Sequence, residues 1–355
     1  GCGFFGAVFA QQARENNKSC LLIDRRNHIG GNCYSSNFED TNINVHKYGT
    51  HIFHTNSKEI WDYVNRFTSF NRYQHRVLTT HQNRVYAMPM NLGTINQFYD
   101  KNLKPNEVRP FLEKIIEKDR VKNPSNFEEK AINQIGRDLY EAFFKGYTMK
   151  QWECDPKDLP ASIFNRLPIR ESFHDSYFND HYQGIPSNGY TPIFDNMLDG
   201  IDIELGVDYF DDPEYWKKHS DKIVYTGPID RYFDYEHGVL NWRSVRFDYE
   251  RIDYEDYQGT SVMNYADVEV PFTRIHEPKH LHLEKSHTPE TSVIIREFSQ
   301  RDNNDPYYPV NGPADKEKLK LYQDLAQKES NVLFGGRLAE YKYYDMHQVI
   351  GSALQ

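Results

Sequence analysis

The chain opens with Gly1-Cys2-Gly3-Phe4-Phe5-Gly6, and after a helical stretch it continues with Cys20-Leu21-Leu22-Ile23-Asp24. The three glycines fit the pattern G-x-G-x-x-G, in which glycines let the backbone turn tightly and approach a pyrophosphate at a helix N-terminus. The apolar run predicts a buried parallel strand. That strand delivers Asp24 eighteen residues after Gly6, where a carboxylate can accept hydrogen bonds from a ribose. Together these residues predict a dinucleotide site.

A second glycine pair, Gly30-Gly31, follows the predicted strand within Arg25-Arg26-Asn27-His28-Ile29-Gly30-Gly31-Asn32. It looks like the flavoprotein extension, in which the chain after the ribose acid folds back over the dinucleotide, whereas a plain nicotinamide domain usually lacks it. A glycine-rich turn without a ligand is the alternative for the first glycines taken alone. The strand, the acid and the second glycine pair together favour FAD as the ligand.

The start of the sequence lacks one expected element. The glycine loop should follow a strand, yet no apolar run precedes Gly1, and the sequence stops inside an apolar helix at Leu354-Gln355. We therefore expect a fragment without its first strand. The sequence leaves open whether such a fragment folds and binds FAD.

Bulk properties exclude several classes of protein. A length of 355 residues allows two or three domains, and the net charge of -10 provides no basic surface for nucleic acid. With 38% hydrophobic residues and no apolar run near eighteen residues, we expect no membrane span. The four cysteines have no C-x-x-C spacing, which favours buried thiols in a reducing cytoplasm. His51 and His54 have no recognisable third ligand, so we expect no metal.

The pattern along the chain predicts an α/β protein. We expect a Rossmann-like FAD-binding domain, an inserted helical domain with apolar residues at helical spacing, and a second, mostly antiparallel β-sheet domain with several β-like runs. The FAD-binding domain is predicted to comprise residues 1–71, 187–235 and 315–355. The helical domain is predicted to comprise residues 92–158, and the sheet domain residues 72–91, 159–186 and 236–314.

Two later stretches carry further site predictions. Tyr147 and Trp152 follow an amphipathic helix across Gly146, so they are expected at its rim, where they can stack on a uracil ring or form a domain contact. Near the end, a strand and a glycine pair lead to Asp345, a suitable N-cap for a helix from Met346. Such a helix N-terminus can stabilise negative charge on a reduced flavin by ~0.3–1 kcal/mol. Both ends of the chain are therefore expected to build one site.

With these stretches, the chain resembles the bacterial UDP-galactopyranose mutase family. The resemblance spans essentially the whole sequence and rests on the segments GCGFFG, RRNHIGGNCY, HKYGTHIFHT, KGYTMKQW, YQGIPSNGYT, YTGPIDRYFDY, PYYPVN and FGGRLAEYKYYDMHQVI. It implies an isomerase that interconverts UDP-α-D-galactopyranose and UDP-α-D-galactofuranose for bacterial cell-wall and lipopolysaccharide biosynthesis. In the family's mechanism, N5 of reduced FAD forms a covalent adduct with the anomeric carbon of galactose. The resemblance also implies a homodimer and a reductant such as NAD(P)H or a reductase.

The resemblance assigns roles to residues that match the family motifs. The cofactor would be held by Gly1, Gly3, Phe5, Gly6, Asp24, Arg25, Gly31, Asn32, His51, Ile52, Arg337, Met346, Gln348, Val349 and Ile350. The substrate would be bound by His75, Phe144, Tyr147, Thr148, Trp152, Arg166, Tyr177, Arg274, Tyr308 and Tyr343. The catalytic residues would be His54, Arg166, Arg274, Tyr343 and Asp345. His75 departs from some family members, which have asparagine near the substrate.

Two other classes of function compete with this interpretation. A redox flavoenzyme of the amine-oxidase or desaturase type shares the dinucleotide domain and the late glycine unit, and it predicts flavin reduction by the substrate. A non-catalytic flavin-binding scaffold would have lost Arg166 or Arg274, and both are present. The arginines and tyrosines favour a diphosphate sugar.

Replacing Arg166 tests the predicted diphosphate contact. We expect Arg166→Ala to reduce turnover severely while FAD stays bound, because the guanidinium is assigned to the substrate and not to the cofactor. Turnover and the flavin absorbance of the purified protein are the two measurements. FAD content that falls in step with activity would show that the assigned role is wrong.

Overall fold

The structure is a computed structural model that describes residues 1–166, 169–301 and 305–355, apart from the side chains of Asn165 and Arg166. Within this part, the chain divides into two compact units. Unit 1 comprises Gly1–Tyr73, Asp180–Ser244 and Arg301–Gln355. Unit 2 comprises Gln74–Asn179 and Val245–Gln300. The expected helical domain, residues 92–158, and most of the expected sheet domain fall within unit 2.

The helices and strands are numbered in chain order. The helices are α1 (Phe4–Glu15), α2 (Lys58–Val64), α3 (Leu92–Tyr99), α4 (Pro105–Ile116), α5 (Phe127–Ile135), α6 (Arg137–Tyr140), α7 (Gly146–Trp152), α8 (Thr191–Met197), α9 (Pro213–His219), α10 (Ile229–Tyr232), α11 (Pro313–Ala326) and α12 (Met346–Leu354). The strands are β1 (Leu21–Asp24), β2 (Ser35–Asn37), β3 (Asn44–His46), β4 (Phe53–Thr55), β5 (Val77–His81), β6 (Arg84–Met88), β7 (Tyr182–Gly184), β8 (Asp202–Leu205), β9 (Ile223–Tyr225), β10 (Trp242–Ile252), β11 (Val262–Tyr265), β12 (Arg274–His276), β13 (Ser292–Gln300), β14 (Tyr308–Pro309) and β15 (Val332–Phe334).

Unit 1 contains two pairs of parallel strands. Strand β1 pairs with β8, with Leu22 opposite Ile203, and β15 pairs with β9, with Leu333 opposite Val224. In the described residues, each of these pairs forms a separate two-stranded sheet. The apolar face of α1 packs against α8 and α12, in a buried cluster that also contains Leu22 of β1. This layering of helices on parallel strands is the Rossmann-like arrangement expected from the glycine pattern.

Unit 2 combines the helices α3–α7 with an antiparallel sheet. Its strands lie in the order β10-β13-β12-β11-β5-β6, and β11 and β5 are its parallel neighbours. Strands β5 and β6 share one buried cluster with the helices, in which Val77 and Met88 pack with Leu112, Ile132 and Leu139. A helical segment that buries its apolar face on a sheet cannot form a separate core. This shared core explains why unit 2 is one unit.

The helix that leads to Tyr147 continues through Gly146. Helix α6 continues through a π-helical turn, Glu141–Lys145, directly into α7, so Gly146 lies inside a continuous helical path. A glycine is required at this position because a Cβ at Gly146 would lie 2.4 Å from the carbonyl oxygen of Ala266. Gly146 therefore permits the close packing of the helix against Ala266.

A search of the helices in the described part of the chain finds none with the length and apolarity needed to span a bilayer.

The shared core of unit 2 gives a stability prediction. Leu112 is fully buried, so Leu112→Ala should lower the free energy of unfolding by about 2–5 kcal/mol through lost burial and a residual cavity. Leu283→Ala is the matched control, because 76% of the Leu283 side chain is exposed and its truncation should change stability by less than ~0.5 kcal/mol. Urea unfolding measures both values. Equal effects of the two substitutions would contradict the described core.

Candidate active site

Two close backbone contacts determine the shape of the glycine loop of unit 1. A Cβ at Gly6 would lie 1.9 Å from the carbonyl oxygen of Gly1, so the turn accepts no side chain there. The second glycine pair returns to this loop, where a Cβ at Gly31 would lie 3.0 Å from the Cα of Gly3. Gly3 is the N-cap of α1 and provides no capping side chain, which leaves the first N–H groups of the helix available to an anion.

Asp24 is held at the end of β1, beside the glycine loop. Its Oδ2 accepts a hydrogen bond from the Cys2 N–H at 2.8 Å, and its Oδ1 accepts one from the Arg26 N–H at 3.0 Å. The Arg26 guanidinium in turn donates to Asn32 Oδ1 at 2.8 Å. The acid and the second glycine segment are thus fixed around the same loop by backbone and side-chain hydrogen bonds.

A cavity of about 1530 Å³ opens at this loop within unit 1. Twelve of the predicted cofactor residues line it: Gly1, Gly3, Phe5, Gly6, Asp24, Arg25, Gly31, Asn32, His51, Arg337, Met346 and Val349. Three do not. Ile52 and Ile350 are buried, and the Gln348 side chain accepts a hydrogen bond from the Asp345 N–H at the start of α12. The cavity exceeds the ~300–1000 Å³ typical of pockets for drug-sized ligands, and it extends from the glycine loop along β1 and β9.

Arg337 organises the residues before α12. It donates to the carbonyl oxygens of Tyr344 at 3.1 Å and Tyr307 at 3.2 Å, and its guanidinium lies 5.6 Å from the ring centroid of Tyr308. The rings of Tyr308 and Tyr343 stack at 5.0 Å. Two predicted substrate residues therefore form one aromatic pair next to a predicted cofactor residue, and Asp345 caps the following helix.

His54 has two neighbours in unit 1 that the sequence analysis did not single out. Its Nδ1 is hydrogen bonded to Asp180 Oδ2, and its ring contacts His347 edge to face at 5.1 Å. Burial and the nearby charge of His54 lower the pKa of His347. Ligand-type atoms of His54, Asp345 and His347 lie within 4.8 Å of one another. The Asp180 contact fixes the orientation of the His54 ring.

In unit 2, Arg274 lies in a network of partly buried polar groups. Its guanidinium donates to the Tyr147 hydroxyl, and its Nε lies 3.3 Å from Glu297 Oε1. His276 Nε2 lies 3.0 Å from the other oxygen of Glu297. Arg274 and Glu297 face each other across β12 and β13, so the sheet register itself pairs them.

The charges of this network shift the pKa values of its members. Burial alone would raise the pKa of Glu297, but Arg274 and His276 lower it to about 2. Burial opposes the positive charge of Arg274, but Glu297 holds the pKa of that guanidinium well above its usual value. Burial raises the pKa of Tyr147 to about 12, so its hydroxyl remains a hydrogen-bonding group at neutral pH.

Apart from Arg166, the other predicted substrate residues of unit 2 fall into two groups. The buried His75 contacts Tyr177 edge to face at 5.3 Å, and 42% of Tyr177 is exposed. Phe144 and Trp152 pack on the helical core, and Thr148 is buried in α7. Arg166 ends the short helix Ala161–Arg166, but its side chain lies outside the described part of the structure. The predicted substrate residues are thus distributed over both units.

Sequence reasoning missed Asp180, His347 and Glu297. Asp180 and Glu297 are far along the chain from His54 and Arg274, so no local spacing connects the pairs. His347 had a signal, because it lies within the late helix, two residues after the predicted N-cap Asp345. A buried arginine also requires a carboxylate partner, but only the strand register identifies which one.

The fold and cavity define a Rossmann-like dinucleotide-binding protein with an added unit that contains a partly buried, ion-paired arginine. A sequence model of NAD(P)-binding Rossmann-like domains matches residues 1–67, and a model of UDP-galactopyranose mutase matches residues 142–343. The chain belongs to the UDP-galactopyranose mutase family, whose enzymes are isomerases.

Individual relatives support this assignment. The chain is 42% identical to a probable UDP-galactopyranose mutase of Klebsiella pneumoniae, over 100% of this chain and 92% of that protein. It is 41% identical to a dTDP-fucopyranose mutase of Escherichia coli, over 100% of this chain and 95% of that protein. A crystal structure of a reduced UDP-galactopyranose mutase matches with a TM-score of 0.74 at 13% identity, over 99% of this chain and 91% of that one, which confirms the fold.

The Arg274–Glu297 pair predicts a pH-dependent stability. Because the folded pKa of Glu297 lies below its ordinary value of 4.5, its charge stabilises unit 2 above pH 4.5, and this contribution is lost as the pH falls towards 2. We expect Glu297→Gln to cost about 1–3 kcal/mol at pH 7, because Arg274, whose side chain is 29% exposed, then loses a partly buried counter-ion. The difference from wild type should shrink below about pH 4.

Urea unfolding at several pH values measures this difference. Glu117→Gln is the matched control, because Glu117 is exposed and its loss should change stability by less than ~0.5 kcal/mol at every pH. A difference between wild type and Glu297→Gln that stays constant from pH 7 to pH 3 would contradict the assigned charge state.

Proposed function

We propose that this protein interconverts UDP-galactopyranose and UDP-galactofuranose, with FAD in its reduced form as the cofactor. The observation that carries the proposal is the full-length similarity to named mutases, together with the dinucleotide cavity of unit 1. The redox alternative has no support from these relatives, which are named as mutases.

The residues around the cavity fit FAD. The backbone cradle at Gly1 and Gly6 has no room for a side chain, and the uncapped N-terminus of α1 suits a pyrophosphate. Asp24 would accept hydrogen bonds from the ribose. When bound, reduced FAD would supply the nucleophile for the anomeric carbon, and the side chains would bind, orient and stabilise charge.

We assign the diphosphate of the substrate to Arg274 and Arg166. A protein with a net charge of -10 repels a nucleotide diphosphate at long range, but physiological salt screens charges beyond about 8 Å. Local charge therefore decides binding. Hydrogen bonds between an arginine and a phosphate contribute roughly 1.5–3 kcal/mol each, which offsets the background repulsion.

Arg274 suits this role because its charge is already oriented. Its pairing with Glu297 and its bond to Tyr147 hold the guanidinium in one geometry before the substrate arrives, which reduces the entropic cost of binding. Tyr147 would help to hold the uridine, together with Phe144, Thr148 and Trp152. Tyr177 and the stacked pair Tyr308 and Tyr343 would contribute hydroxyl groups to the diphosphate.

In unit 1, His54 would be a hydrogen-bonding neighbour of the flavin. Asp180 is hydrogen bonded to Nδ1 of His54 and thereby fixes the orientation of the ring. Asp345, at the N-terminus of α12, would lie near the sugar and the flavin. The helix N-terminus would favour negative charge on the reduced cofactor.

The biological setting of the proposal follows from the family resemblance. We propose a cytoplasmic homodimer that receives electrons from NAD(P)H or a reductase and that supplies galactofuranose to surface glycans. The nearly equal identity to a dTDP-fucopyranose mutase makes dTDP-fucose the competing substrate. The two substrates differ in the 5-methyl group of the base, the 2′-hydroxyl of the ribose and the sugar.

Conversion of UDP-galactofuranose by the FAD-loaded protein tests the proposal. With dithionite we expect conversion to UDP-galactopyranose, and without it none, because only the reduced flavin is nucleophilic. Chromatography of the nucleotide sugars measures the product. The same assay with dTDP-fucofuranose compares kcat/KM for the competing substrate.

Three results would change the proposal. No conversion of either sugar by fully reduced FAD enzyme would remove the mutase function. A higher kcat/KM for the dTDP sugar would keep the reaction type but replace the substrate. Flavin reduction by a substrate in the absence of dithionite would instead support the redox alternative.

A further inference from the structure

Lys150 makes an unusual set of contacts in unit 2 that none of the assigned roles uses. Its Nζ lies 2.7 Å from the carbonyl oxygen of Tyr265, 2.9 Å from that of Asp267, and 3.0 Å from those of Val270 and Phe272. An ammonium group has three protons, so these four acceptors share them. Lys150 thus serves as the hydrogen-bond donor at the centre of one loop.

The loop in question, residues 266–273, connects β11 to β12. Its own backbone bonds are few, and they include Tyr265 N–H to the Thr273 carbonyl at 3.0 Å and Val270 N–H to the Asp267 carbonyl at 3.3 Å. Carbonyl groups that point into a loop interior need donors, because an unpaired buried acceptor costs free energy. Lys150 provides those donors from outside the loop.

The same helix touches the loop a second time. Gly146 lies one turn before Lys150, and a Cβ at Gly146 would come within 2.4 Å of the Ala266 carbonyl oxygen. Residues four apart share a face of a helix, so Gly146 and Lys150 together hold that face of α7 on the loop. The helix and the loop are therefore joined by a close backbone approach at Gly146 and by charge-assisted hydrogen bonds from Lys150.

The contact joins two residues of the proposed substrate site. Tyr147 is next to Gly146 in α7, and Arg274 directly follows the loop at the start of β12. The guanidinium of Arg274 donates to the Tyr147 hydroxyl. Tyr147 belongs to the helix and Arg274 follows the loop. A shift of the loop along the helix would therefore separate these two side chains.

We propose that Lys150 is a positioning residue, which clamps loop 266–273 onto α7 and thereby holds Tyr147 and Arg274 together for the nucleotide diphosphate. The inference rests on the proposed function, in which these two residues bind the substrate. Lys150 acts through the loop and does not itself contact the reacting atoms.

The charge state of Lys150 supports this role. Burial lowers the pKa of the Lys150 amine to about 8, against the opposing effect of the carboxylates of Asp267 and Glu269. His81 of β5 faces the same region, since its Nδ1 lies 2.7 Å from Asp267 Oδ1. A neutral amine has two protons and a lone pair, so deprotonation weakens the clamp.

The test uses the FAD-loaded full chain and UDP as the probe. We expect Lys150→Met to weaken UDP binding about tenfold and to raise KM more than it lowers kcat, with an unchanged FAD content. Lys150→Arg should retain most of the affinity, because the guanidinium keeps the charge and the donors. Lys157→Met is the matched control, because the Lys157 side chain is 62% exposed and should leave UDP binding unchanged.

The dependence of UDP affinity on pH is a second measurement, and a purely structural role of Lys150 would not affect it. Wild-type UDP affinity should fall as the pH rises through about 8, whereas Lys150→Arg should lack this step because arginine stays charged. If Lys150→Met does not fold, the comparison of wild type with Lys150→Arg decides. The same step in both proteins, or none in wild type, would overturn the inference.

Different experimental results would contradict the role of Lys150 and the proposed function. Wild-type affinity and KM in a folded Lys150→Met protein would overturn the role of Lys150 alone. A loss of FAD in step with UDP affinity would also overturn it, because the clamp lies in unit 2 and the FAD cavity in unit 1. A wild-type protein that binds neither UDP nor dTDP would remove the proposed function, and this inference with it.

Discussion

The tight backbone turn at the start of the chain is the constraint on which unit 1 depends. The Gly1 carbonyl lies so close to Gly6 that any side chain there would collide with it, and this proximity lets α1 begin immediately after the loop. The second glycine pair can then approach the first, and Asp24 accepts the N–H of Cys2. A helix N-terminus, an acid and a returning glycine segment thus surround one cavity because the loop has almost no side-chain volume.

Unit 2 solves a different physical problem, which is to keep positive charge buried and oriented. Glu297 neutralises Arg274, and His276 and Tyr147 occupy the remaining hydrogen-bonding positions of the network. Lys150 is held in the same manner by backbone carbonyls instead of a carboxylate. A cation that is held by fixed partners is pre-organised, so less ordering is needed when an anionic ligand binds.

Packing explains why the helical segment and the sheet form a single unit. The helices α4 and α5 bury their apolar faces together with residues of β5 and β6, in one core. The periodicity of the sequence identified both the helices and the strands, but it did not identify which element covers which. Gly146 is a second example, because its close contact with Ala266 comes from a distant part of the chain.

The sequence by itself determined those features that depend on local chemistry. Glycine spacing, the strand that ends in Asp24 and the N-cap Asp345 follow from residue types a few positions apart, and whole-chain motif similarity identified the family. Only the tertiary structure decided which charged groups meet. Asp180 beside His54, Glu297 beside Arg274 and Lys150 inside loop 266–273 are all long-range contacts. Such contacts depend on strand register and helix packing, which residue spacing does not encode.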